Sequence, residues 1–385
     1  MKKITFTDFL ISRGHIGFNF EEEGGDEQDS SGRIYFELSP KIRPDNNLVA
    51  MAISTLCGNK YNEIVINLPV GKSTASSIRD FTKSDVKTLD GKELKKKKSK
   101  NLVLNFSGGF DSLAAKCLMP SKTRLVSMDF GGKFSREELF FKKFKPYTVK
   151  TNLVDTPLRK NSWSFMGIAS LLFSEYLNTE YHAFGNILEA SPGNFSEGQF
   201  KSREFAAYFA VGIRNAPYVL GLTEVGTLLV VAHYMPEYVN DSLASLANPG
   251  EEKRYRKQVL AMIASKRLGK KIEIMELDPP KKPHFKFGQY FASDFLSFYI
   301  IKYAGIEVAS HTISGIPDEV VEVANNLKLE FYERLNTNLI VNFPQHLLGG
   351  LLKNISEAGI LPYTEDDWRE YTEVKRVLSK YYDIF

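Results

Sequence analysis

Apolar and polar positions alternate with period two over several short stretches of the first hundred residues, and that spacing predicts strands. Ile4–Phe9, Ile16–Phe20, Arg33–Leu38 and Ile64–Leu68 fit it, and the acidic run from Glu21 to Glu27 reads as a solvated hairpin loop. Asn47–Cys57 carries a helical pattern, opened near Pro44-Asp45 and closed by Gly58. Beyond residue 100 the pattern changes. Strand-like runs at Leu102–Phe106, Arg124–Phe130, Tyr147–Val149 and Tyr181–Phe184 alternate with helix-like ones at Asp111–Leu118, Arg136–Phe144 and Trp163–Leu177. Such alternation predicts an α/β fold with a doubly wound parallel sheet. From about residue 236 helix signals dominate: Glu251–Leu268, Phe291–Tyr303, Asp318–Leu335 and Trp368–Tyr382, with Pro279–Pro283 as an extended linker. The expected organisation is an α+β domain over 1–98, a parallel-sheet domain over 99–240 and a mostly helical region over 241–385.

Composition narrows the class of protein. A chain of 385 residues with 43% hydrophobic and 25% charged positions is ordinary for a globular protein of two or three domains. The net charge of +4 is small for this length and does not argue for nucleic acid. The basic run Lys92–Lys100 has no interleaved aromatic and reads as a solvated linker. Cys57 and Cys117 are the two cysteines, too few for a disulfide framework or a cysteine-rich zinc site, and they suit a reducing cytoplasm. The start of the chain lacks the apolar core of a signal peptide, and no apolar run approaches a membrane span. A cytoplasmic location with no membrane partner is the expectation.

Candidate chemistry centres on Ser107-Gly108-Gly109-Phe110-Asp111-Ser112, directly after the apolar run Leu102–Phe106 and at the start of a helical pattern. A strand, a glycine turn and a helix start gather unpaired N–H groups and a positive helix end at one place, which suits phosphate. Gly108 and Gly109 permit close approach of the main chain to an anion, and Ser107 and Ser112 add hydroxyl groups. The structural alternative is a tight turn with Asp111 as a helix cap.

This hexapeptide resembles the pyrophosphate loop of the ATP pyrophosphatase superfamily. Four further segments resemble its cyano-deazaguanine synthase branch. They are Ser127-Met-Asp-Phe-Gly-Gly-Lys-Phe-Ser-Arg-Glu-Glu, the Pro157–Ser170 segment containing Lys160-Asn161, Ala183-Phe-Gly-Asn, and Phe200-Lys-Ser-Arg-Glu-Phe containing Arg203. The resemblance covers residues 101–235. It implies the adenine nucleotide alpha hydrolase fold, ATP and Mg²⁺, and AMP-forming ligase chemistry on a small-molecule or protein substrate bearing a carboxylate or amine. Ser107, Gly108, Gly109, Phe110 and Ser112 would hold pyrophosphate. Met128, Asp129, Phe130 and Gly185 would lie near adenine and ribose, with Asn161 also at the rim. Asp111 would orient the metal ion and act in catalysis with Lys160 and Arg203. The branch carries four zinc-binding cysteines where this chain has Asn248–Lys257, so no zinc is expected. Relatives without those cysteines occur in bacterial anti-phage operons, which allows a defence role. The helical region is a candidate lining for the site or for a dimer interface. A sulfur transferase or reductase of the same superfamily, and a non-catalytic ATP-binding module, are the competing readings.

Overall fold

A computed structural model describes residues 1–24, 29–95, 99–196, 204–269 and 272–384. The chain divides into two compact units. One comprises Met1–Ser107, Lys122–Ala183 and Arg203–Ala216; the other comprises Gly108–Ser121, Phe184–Ser202 and Pro217–Phe385.

The first unit is α/β and holds a ten-stranded sheet. Its strands are β1 (Lys3–Ser12), β2 (His15–Glu23), β3 (Ser30–Ser39), β4 (Glu63–Val70), β5 (Asp85–Asp90), β6 (Asn101–Asn105), β7 (Arg124–Asp129), β8 (Tyr147–Thr151), β9 (Thr179–Ala183) and β10 (Arg214–Asn215). The order is β10-β9-β6-β7-β8-β3-β2-β1-β4-β5. The run from β10 to β8 is parallel throughout, as are the β1–β4 and β4–β5 pairs. The β8–β3, β3–β2 and β2–β1 pairs are antiparallel, so one continuous sheet carries both the N-terminal strands and the parallel set. Register follows from burial. Ile16, Phe18 and Phe20 on β2 and Ile34, Phe36 and Leu38 on β3 are buried every second residue, and a one-residue slip would expose them all.

In the parallel set the chain runs from β6 through β7 to β8, then returns to place β9 on the other side of β6. That reversal between β6 and β9 is the strand-order switch of a doubly wound arrangement. The Ile168–Leu172 helix packs on β6, β7 and β8, and the Asn46–Ser54 helix packs on β4.

The second unit is helical. The Phe110–Leu118 helix packs against the Glu224–Tyr234, Val239–Leu246 and Gln345–Glu357 helices. Asn354 Nδ2 donates to the Leu118 carbonyl at 2.9 Å, satisfying a C-terminal acceptor of the first of these. A second core is aromatic, with Phe195 set edge-on to Phe291 and Phe295 at 4.9 and 5.0 Å between ring centres.

Several elements depart from the expected pattern. β2 extends through Glu23, so part of the acidic run is strand, and residues 25–27 of that run lie outside the described ones. The single helix expected over Trp163–Leu177 is broken into Trp163–Gly167, Ile168–Leu172 and Ser174–Leu177. Ser170 and Ser174 hydroxyls donate to the Gly167 and Leu171 carbonyls and compete with the helical ladder. The helix expected over Asp318–Leu335 stops at Asn326, and Leu329 sits at φ +59°. The Lys72–Thr82 helix, β5 and the Glu224–Tyr234 helix had no predicted counterpart. Among the described residues no helix is long and apolar enough to cross a membrane.

Candidate active site

In the first unit the carboxyl ends of β6, β7 and β9 are tied together by side chains. Asn105 Nδ2 donates to the Ala183 carbonyl at 3.0 Å, and Ser127 Oγ donates to the Phe106 carbonyl at 2.6 Å. Asn105 is buried, and its Oδ1 has no hydrogen-bond partner among the described residues. Ser107, exposed, follows at once and opens the hexapeptide. Asp129 ends β7 almost fully buried, with Oδ1 accepting the Gly131 N–H at 2.9 Å. Burial raises its carboxyl above the ordinary range, and the Gly131 bond acts in the opposite sense. Met128 and Phe130 are buried beside it, Phe130 edge-on to Phe134 and Phe165.

The remainder of the hexapeptide belongs to the second unit. Gly108 sits at φ +85°, where a side chain would be strained. Its N–H donates to Ser112 Oγ at 3.1 Å, Ser112 Oγ donates to the Gly109 carbonyl at 3.1 Å, and Ser242 Oγ donates to the Gly108 carbonyl at 2.8 Å. Ser112 thus braces the turn internally. Gly109 is the N-cap of the Phe110–Leu118 helix and supplies no side-chain cap. Gly185 passes so close to this turn that a Cβ there would lie 2.6 Å from the Ser112 nitrogen and 2.8 Å from the Asp111 carbonyl carbon. Only glycine fits at that approach.

Asp111 does not cap its helix. Its Oδ1 accepts from Thr227 Oγ1 at 3.0 Å, across to the Glu224–Tyr234 helix. Behind it lies a cluster of buried charges. Lys257 Nζ is 3.1 Å from Glu224 Oε1 and 5.3 Å above the centre of the Phe110 ring. Arg256 lies 3.7 Å from Glu224, pairs with Glu252, and donates to Ser293 Oγ at 2.8 Å. The Glu224 N–H donates to Glu189 Oε1 at 2.7 Å, while Glu189 Oε2 has no partner among the described residues.

The ionisation states follow from these neighbours. Burial alone would raise Glu224, but Lys257 and Arg256 outweigh it and hold the carboxylate below its ordinary range. Glu189 has no such cation. Burial, reinforced by the Glu224 charge, pushes its carboxyl up to about 8. Asp111 is raised by burial, opposed by Lys257, raised further by Glu224, and lowered by Thr227 and Lys253. One carboxylate is thereby held ionised and one is kept protonated at neutral pH.

Lys160 is exposed at the end of the Pro157–Lys160 turn. Asn161 is engaged within the first unit, its Nδ2 donating to Tyr61 Oη at 2.8 Å and to the Leu56 carbonyl at 3.2 Å. Arg203 lies outside the described residues. Glu189, Glu224, Thr227 and Lys257 were missed because their signal resembles ordinary structure. Glu251–Leu268 reads as a charged amphipathic helix, a pattern that does not single out Glu252, Arg254, Arg256, Lys257 and Gln258 as buried, which they are. Among the described residues no group of three or more His, Cys, Asp or Glu side chains is arranged to hold a metal ion. Asp111 offers a single carboxylate with lysines for neighbours, so an ion there would need oxygen ligands brought by its own substrate.

No protein-family model matches this chain, and comparison with curated proteins and with solved structures likewise yielded no match.

Proposed function

We propose that the chain is an ATP-dependent, AMP-forming ligase. A substrate carboxylate attacks the α phosphorus of ATP, the bond to the β-phosphate oxygen breaks, and pyrophosphate leaves with its Mg²⁺. Ammonia or an amine then attacks the acyl carbon of the adenylate, and AMP departs. The observation that carries this reading is the departure of Ser107-Gly-Gly-Phe-Asp-Ser from the carboxyl end of β6, at the strand-order switch between β6 and β9. Open α/β sheets bind ligands outside such a switch. Ser107 and the start of the Phe110–Leu118 helix would meet the phosphates. Asp111 would steer the metal-bound pyrophosphate, with Lys160 and Arg203 as candidate contacts to the activated acid. A deazaguanine-like acid is the class the sequence resemblance suggests, and a cytoplasmic role in bacterial anti-phage defence accords with that resemblance.

Sulfur transfer is the weaker reading, because it needs a thiolate. Burial raises the Cys57 thiol and pushes Cys117 up to about 12, so both are protonated at neutral pH. The test is incubation with α-labelled MgATP and a panel of carboxylates and amines. AMP and pyrophosphate are expected, and both should be lost in a Ser107→Ala, Asp111→Asn variant that retains its circular dichroism. Release of ADP, or AMP formation unchanged in that variant, refutes the assignment.

A further inference from the structure

We infer that Thr227 is a positioning residue that holds the Asp111 carboxylate in its working orientation without touching substrate itself. The inference rests on the adenylating role proposed above. Asp111 lies in the first turn of the Phe110–Leu118 helix, where an aspartate would ordinarily turn back toward the free N–H groups. Here it reaches out to another helix instead. Thr227 is fully buried, and its hydroxyl lies 3.0 Å from Asp111 Oδ1 and 3.1 Å from the Glu224 carbonyl, on which it could otherwise spend its proton. Gly185 closes over the main chain of Asp111 and Ser112 at a distance that admits no side chain. The backbone that carries Asp111 is thus held from one side and its carboxylate is held by Thr227 from the neighbouring helix.

Such rigidity has a cost that a surface cap would not incur. Glu224, Arg256, Lys257 and Glu252 are all buried, and buried ion pairs are on average no more stabilising than apolar packing. A network of this kind is expected where the orientation and charge of one group matter.

The test compares Thr227→Val and Thr227→Ser in the full chain, with MgATP and an acid that supports AMP formation. Thr227→Val keeps shape and removes the hydroxyl. It should lower kcat on the order of 10–100-fold with little change in KM for ATP, and Thr227→Ser should restore most of the rate. An unchanged kcat in Thr227→Val, or equal loss in the Val and Ser variants, overturns the inference while leaving the ligase reading intact. A wild-type protein that forms no AMP overturns both.

Discussion

Replacing Glu189 with glutamine should flatten the dependence of stability on pH. Glu189 is 2% exposed, takes one hydrogen bond from the Glu224 N–H, and is raised from the ordinary 4.5 to about 8 by burial and then by the Glu224 charge. In the unfolded chain the same carboxyl ionises near about 4.3, as in model peptides. Between those values the folded protein keeps a proton that the unfolded chain has released. The stability this group contributes is therefore complete below the lower value and is lost as pH climbs through the higher one. At about 1.4 kcal/mol per pH unit the full interval corresponds to roughly 5 kcal/mol, and partial relaxation around the ionised side chain would leave about 2. The glutamine side chain would keep the volume and the acceptor and has no proton to lose. The stability difference between variant and wild type should thus grow by about 2–5 kcal/mol between about pH 5 and 8.5. Urea unfolding followed by Trp368 fluorescence in a Trp163→Phe background isolates the second unit, since those are the two tryptophans. Wild-type and Glu189→Gln curves that stay parallel across that range would refute the assignment of a protonated Glu189.

Gly185→Ala places a methyl group 2.6 Å from the Ser112 nitrogen, and overpacking of this kind costs about 1–3 kcal/mol. A lower melting temperature together with weaker ATP binding is expected; an unchanged melt would mean that the two segments do not approach as described. Both thiols are held protonated by burial, so iodoacetamide at about pH 7.5 should label the native chain far more slowly than the urea-unfolded one, as mass spectrometry will read. Elemental analysis should find well under one zinc per chain, and a stoichiometric value would overturn the expectation drawn from the missing cysteines.

Local chemistry was legible in the sequence wherever neighbours in the chain decide it. Period-two alternation foretold β1 to β4, and short apolar runs marked β6 to β9 to within a few residues, because a strand's inward positions recur at fixed spacing. The turn through Gly108 and the start of the Phe110–Leu118 helix were equally plain, since glycine and a following apolar period act locally. What the sequence could not carry was pairing across long separations. That β8 pairs antiparallel with β3, making one sheet of ten strands, depends on edges meeting some 110 positions apart. The same holds for the charges. Glu251–Leu268 reads as a charged amphipathic helix, and its pattern does not tell which charges are buried, because a lysine or arginine reads alike whether it faces water or a buried carboxylate. Only the meeting of Lys257 and Arg256 with Glu224, and of Thr227 with Asp111, makes burial of that face tolerable. Sequence placed the aspartate beside the glycine turn; tertiary structure decided what it touches and which carboxyls near it keep their protons.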